Sequence, residues 1–270
     1  MNKRWGMIRL ILLIAIVVIG CSSNEKPAVS SEPMKNQEVP GSGETSQEVT
    51  FRAEVLEMES GLLVIPDEDS NEFRSSDRMT VNYSAAKLVG KDGNETTTAQ
   101  IKFGDILLIS YNGAIAESYP AQITATKIEI TGHDDLTDGY LALIDNIYQE
   151  DEGLNSDIEM IALDTTEWIE ADQTRKAMIF EKVKNNYGFE VKEATYDDLV
   201  EQGLIEKDNL YFPKGILIKL SNMKYDETEN TITCSISKWR SGLGAVGSDT
   251  VTATLMNSEW KITKESSWIS

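Results

Sequence analysis

The sequence is poor in the residues from which most active sites are built. It has one histidine, His133, and two cysteines, Cys21 and Cys234, among 270 residues. So few soft ligands exclude a Cys/His zinc cluster, and two thiols cannot make a disulfide scaffold. Bases are also scarce, with 25 Lys and Arg against 45 Asp and Glu, for a net charge of −20. Nucleic-acid phosphates are bound mainly through Lys and Arg, so a nucleic-acid partner is excluded. No apolar run reaches the roughly 20 residues that a bilayer-spanning helix needs. Neither a GxSxG elbow nor an HExxH helix is present. With no catalytic set in view, a non-catalytic role is expected, and no cofactor or metal is assigned.

The strongest signal lies at the N-terminus. Lys3, Arg4 and Arg9 precede an apolar run from Leu10 to Ile19, then Gly20 and Cys21. A basic segment followed by a short apolar core reads as a secretory leader. Val18-Ile19-Gly20-Cys21 resembles the lipobox of bacterial lipoproteins. That resemblance implies cleavage after Gly20 and a diacylglyceryl group on the Cys21 sulfur. Two fatty chains are what stable anchoring requires. Loss of residues 1–20 removes three bases and no acid, taking the net charge from −20 to −23. Anionic headgroups repel such a body, so the lipid is the expected membrane contact, on the extracytoplasmic face of a bacterial cell membrane. Residues 21–49 are rich in Ser, Glu, Pro, Gly, Asn and Gln, and read as a lipidated disordered tether.

Residues 50–132 change character. Short apolar runs at Val49–Met58, Leu62–Pro66, Met79–Tyr83, Ile101–Tyr111 and Gln122–Ile130 are separated by Gly and Asp turns. Several short strands so spaced predict a small all-β barrel, OB-like in its five strands. Gly104-Asp105, Tyr111-Asn112-Gly113, Ile115 and Glu117-Ser118-Tyr119-Pro120-Ala121 resemble the YobA-like proteins, small secreted or lipid-anchored domains of unknown function. The resemblance implies an OB-like fold and an extracytoplasmic address, and no activity. Glu117, Ser118, Tyr119 and Pro120 form a candidate binding edge. The alternative is a strand corner in which Tyr119 packs. Seven bases against thirteen acids in this stretch argue against the oligonucleotide role that the barrel alone suggests.

Residues 133–270 predict an α+β domain. Helices are expected over 136–150, 171–187 and 196–202, with an apolar strand at Ile158–Leu163. Gly215–Tyr225, Thr231–Trp239, Thr250–Met256 and Trp260–Lys264 predict a C-terminal antiparallel sheet. The element order weakly resembles the cystatin-like and NTF2-like group, which cups a pocket between helix and sheet.

Other motifs carry less. Gly242-Leu243-Gly244-Ala245-Val246-Gly247 spells GxGxxG, but a strand pattern follows it where the dinucleotide site needs a helix. It reads as a flexible connection between antiparallel strands. Asp67–Glu72 begins like a calcium loop, but has Glu72 where the sixth-position Gly belongs and Arg78 at the twelfth. It reads as a solvated turn, and weak calcium binding through clustered carboxylates is the alternative here and at Glu150-Asp151-Glu152 with Asp157. His133, beside Asp134 and Asp135, reads as a solvated linker residue. Cys234 shares a strand face with Ile232 and Ile236 and is expected to be a buried thiol. Trp239, Trp260 and Trp268 are expected in the core, the alternative being a ligand pocket that they line together. The role so predicted is binding an envelope protein, a wall polymer or a small ligand. The alternatives are an envelope hydrolase using converging carboxylates in the C-terminal domain, or a weak cation-binding sensor.

Overall fold

Alternating apolar residues build the first sheet. The computed structural model describes residues 48–270, so the leader, Cys21 and the tether as far as residue 47 lie outside the described residues. Strand β1 (Val49–Glu57) points Phe51, Ala53 and Val55 inward, β2 (Leu62–Pro66) adds Leu62 and Val64, and, after the short helix α1 (Asn71–Ser75), β3 (Met79–Asn82) adds Met79 and Val81. After the short β4 (Lys87–Val89), strands β5 (Asp105–Tyr111) and β6 (Ala121–His133) supply Leu107, Ile109, Ile123 and Ile128. Antiparallel pairs β1–β2, β2–β3, β1–β5 and β5–β6, with a parallel β3–β6 pair, close a five-stranded mixed barrel. β4 joins β6 in parallel.

The second sheet has six strands in the order β12-β11-β10-β9-β7-β8. Its elements are α2 (Asp135–Gln149), β7 (Met160–Asp164), α3 (Gln173–Tyr187), β8 (Glu190–Glu193) and α4 (Tyr196–Glu201). Then come β9 (Gly215–Asp226), β10 (Thr231–Ser241), β11 (Gly244–Met256) and β12 (Glu259–Ile269). The last four strands form the expected antiparallel meander, but β7 runs parallel to both β8 and β9. The sheet is therefore mixed, not antiparallel throughout. The cause is connectivity: α3 and α4 carry the chain back over the sheet, and a return through a helix makes the next strand parallel. β7 and β9 are buried on both faces, with Ile161, Leu163, Ile216 and Ile218 in the core beneath α2 and α3. Ala162 and Leu217 face the opposite cluster around Leu199 and Phe212. That is why these strands read as unbroken apolar runs.

The barrel and the helices of the second sheet meet, and the described residues belong to one compact unit. The doublets Val55-Leu56 and Val64-Ile65 break the period-two pattern because both faces of those strands are covered. Val55 and Val64 fill the barrel, while Leu56 and Ile65 turn outward onto Met178 of α3. Burying three such side chains contributes about 1.5–3 kcal/mol each. Charged contacts flank this patch. Arg78 pairs with Glu181 at 3.1 Å, and the Thr174 backbone N–H donates to Glu68 at 3.3 Å.

Candidate functional site

The site grows from the step between β6 and α2. Asp134 caps α2, accepting from the Thr137 backbone N–H at 3.2 Å, and it also accepts from Arg175 Nε and Nη2 at 3.1 Å each. Burial pushes the Asp134 carboxyl up, but Arg175 and Thr137 outweigh burial and hold it below its ordinary value. One residue earlier, His133 ends β6 with its ring between two acids. Nδ1 lies 2.9 Å from Asp105 and Nε2 lies 2.8 Å from Asp138. With a carboxylate at each nitrogen the ring is held as imidazolium, and its pKa is pushed up to about 10, first by Asp105 and then by Asp138. His133 is therefore a fixed cation and not a solvated linker residue, and its partners are not its sequence neighbours Asp134 and Asp135. Gly104 makes the approach possible. It takes a positive φ of +79°, and a Cβ there would stand 3.1 Å from the imidazole Cε1. Asp105 is also held by the Lys102 backbone N–H at 2.9 Å.

This clamp forms part of the wall of a cleft of about 1140 Å³. The barrel contributes the 90–97 loop, Lys102 and Phe103. The second sheet contributes Asp135 and Asp138 on α2, Lys182 on α3 and Ser258 in the β11–β12 turn. His133 neutralises part of the acid lining. Lys102 and Lys182 enter no ion pair among the described residues, and the Lys182 ammonium lies 4.9 Å from the centroid of the Phe103 ring. The cleft is thus mixed in charge, lined by these two ammonium groups together with the carboxylates Asp135 and Glu95.

Residues 55–131 match a family described as a protein of unknown function (DUF3221). The match spans the barrel strands from within β1 to within β6 and stops short of the second sheet. Neither a curated protein nor a solved structure matches the chain.

The other candidate residues are dispersed. Glu117, Ser118, Tyr119 and Pro120 lie in the β5–β6 loop, away from the cleft lining. Glu117 and Ser118 border a separate hollow of about 520 Å³ with Ser75 and Ile115. Tyr119 does not pack: it is 72% exposed, with its hydroxyl 3.4 Å from Asp77. In the GxGxxG stretch, Gly242-Leu243 is a two-residue hairpin turn, and Gly244 onward is strand β11. The stretch is therefore not a loose connection. Gly247 is required there because the Trp268 ring covers it, 2.5 Å from where a Cβ would stand. The three tryptophans do not share a cavity. Trp239 packs edge-on against Tyr196, Trp260 donates to the Asp135 carbonyl at 3.0 Å, and Trp268 is 38% exposed. Cys234 is buried as expected, and burial pushes its thiol up to about 12.

Neither acidic stretch is simply solvated. Glu72, in place of the calcium-loop Gly, is buried and accepts from the Tyr111 hydroxyl at 2.7 Å. The 150–152 cluster already has its cation. Fully buried Lys238 donates to the carbonyls of Tyr148, Glu150 and Asp151 and to Asn155 Oδ1, while Lys264 pairs with Glu150. A helix C-terminus leaves carbonyls unpaired and is negative at its end, so an ammonium there satisfies both needs of α2. Among the described residues, no group of three or more His, Cys, Asp or Glu is placed to hold a metal ion, and no helix is long and apolar enough to cross a membrane.

Proposed function

We propose that the protein is a lipid-anchored extracytoplasmic binding module of a bacterial envelope. Its working surface is the cleft between barrel and second sheet, and its ligand is a small polar molecule or segment bearing both charge signs. The observation that carries this reading is that Lys102 and Lys182, which enter no ion pair among the described residues, line one cleft together with the carboxylates Glu95 and Asp135. A zwitterion suits an acidic body. Its ammonium is drawn by the overall field and its carboxylate is held locally at the lysines. The address rests on the lipobox around Cys21. The barrel's strand order, with its parallel closing pair, supports the OB-like and YobA-like reading. One face of the second sheet is covered by α2 and α3, which share its core, and the hydrolase reading gains no support.

Amide shifts of the described region, followed by NMR during titration with zwitterionic, anionic and uncharged short peptides, test the cleft. Saturable shifts at Lys102, Phe103, His133 and Lys182 are expected for the zwitterionic peptides. The affinity is expected to fall at least about tenfold in the Lys102→Glu, Lys182→Glu double variant, a cost of about 1.4 kcal/mol. Binding that leaves those amides unmoved, or that survives the double charge reversal, contradicts the reading.

A further inference from the structure

Glu54, on β1 beside the outward-facing Leu56, is a carboxyl group closed into the junction between barrel and α3. Its Oε2 is buried and has no hydrogen-bond partner, and the Thr174 hydroxyl of α3 is buried and unpartnered as well. The charged groups facing Glu54 are Asp134 at the cap of α2, Arg175 and Asp172 at the start of α3, and Arg52 on its own strand. Arg175 already donates from Nε and Nη2 to Asp134, and none of its donors is hydrogen-bonded to Glu54. A carboxylate at this position has two acids near it and no donor of its own.

We propose that Glu54 is a pH-operated latch. When protonated it allows the barrel to close on α3, and when ionised it loosens that contact and the cleft wall that α3 carries at Lys182. The consequence for ligand rests on the cleft reading above; the latch itself does not. Burial first, then Asp134, pushes the Glu54 carboxyl from its ordinary 4.5 up to about 7, against the pull of Arg175. The sign follows from linkage. The closed junction holds a proton that the opened one releases, so the closed form is favoured below pH 4.5. It loses up to about tenfold per pH unit as pH rises toward 7, and no more above that.

Hydrogen exchange of the wild-type protein and Glu54→Gln, compared at the same pH without any ligand, reads the latch directly. At pH 4 the two are expected to exchange alike in β1 and residues 172–182. At pH 8 the wild type is expected to exchange there at least about tenfold faster, with the remote strands β10 and β11 unchanged. Equal protection at both pH values, or a change spread evenly over the molecule, overturns the latch. The wild-type carboxyl carbon resonance of Glu54 provides a check that needs no variant. A midpoint near 7 is expected, and a midpoint near 4.5 overturns the proposal. Neither experiment involves ligand, so its failure leaves the cleft reading standing, and failure of peptide binding leaves the latch standing.

Discussion

Replacing Lys238 by Met is expected to lower the unfolding free energy by about 2–4 kcal/mol, the largest single effect anticipated for a polar residue of this protein. Met is close in length to Lys and fills the same space, so packing is nearly preserved. What is lost is the ammonium that gathers the carbonyls of Tyr148, Glu150 and Asp151 with the Asn155 side chain. Each acceptor left buried without a donor costs about 1–3 kcal/mol, partly offset because Met no longer buries a charge. The Lys238 ammonium also lies 5.7 Å from the Tyr148 ring, which stacks on Tyr187 at 3.8 Å, so the effect reaches the α2–α3 contact. Burial lowers the Lys238 pKa to about 8, which leaves it charged at neutral pH. Arginine is not expected to rescue the site, because its planar fork cannot converge on four oxygens arranged around one point. Urea unfolding measures the change. A loss under about 0.5 kcal/mol would show that the cap is dispensable.

The second large effect concerns His133. It is the only histidine in the chain, so its imidazole titration is read from one set of ring resonances without assignment by mutation. Its midpoint is expected near pH 10 instead of 6.5, because Asp105 and Asp138 each hold one ring nitrogen. The raised pKa fixes the direction of the stability change. The imidazolium's contribution is fully present below pH 6.5 and is lost as pH rises through about 10. The side chain is 20% exposed, and solvent screening reduces the contribution to about 1–3 kcal/mol. Asp105→Asn is expected to move the midpoint down by more than one pH unit and to flatten this loss. A wild-type midpoint between 6 and 7 would contradict the clamp.

Much of the architecture was legible because local pattern and final burial agree. The five barrel runs became the five barrel strands, and Gly188, directly after the helix expected over 171–187, takes the left-handed conformation at the end of α3. The misses share a cause, which is that the deciding contact is distant in sequence. The second sheet is mixed because helices alternate with β7, β8 and β9, a parallel-sheet signal outweighed in the reading by the long meander after Pro213. The Leu56 and Ile65 doublets signalled burial on two faces, but only α3 shows what covers the second face. His133 looked solvated because its neighbours in the chain are acids. Its real partner Asp105 is 28 residues away, and only Gly104, the residue just before it, hinted at a close approach. Lys238 falls on an alternating strand, where a lysine reads as solvent-facing. Nothing local tells that the end of α2, some 88 residues earlier, lies over it.

The intact mass of the protein extracted from bacterial membranes tests the proposed role most directly, since the anchor decides which ligands the cleft can meet. The expected mass is that of a chain beginning at Cys21 and carrying a diacylglyceryl group, with Cys21→Ala yielding no such species. An unmodified chain that still begins at Met1 and is recovered from the cytosol would contradict it.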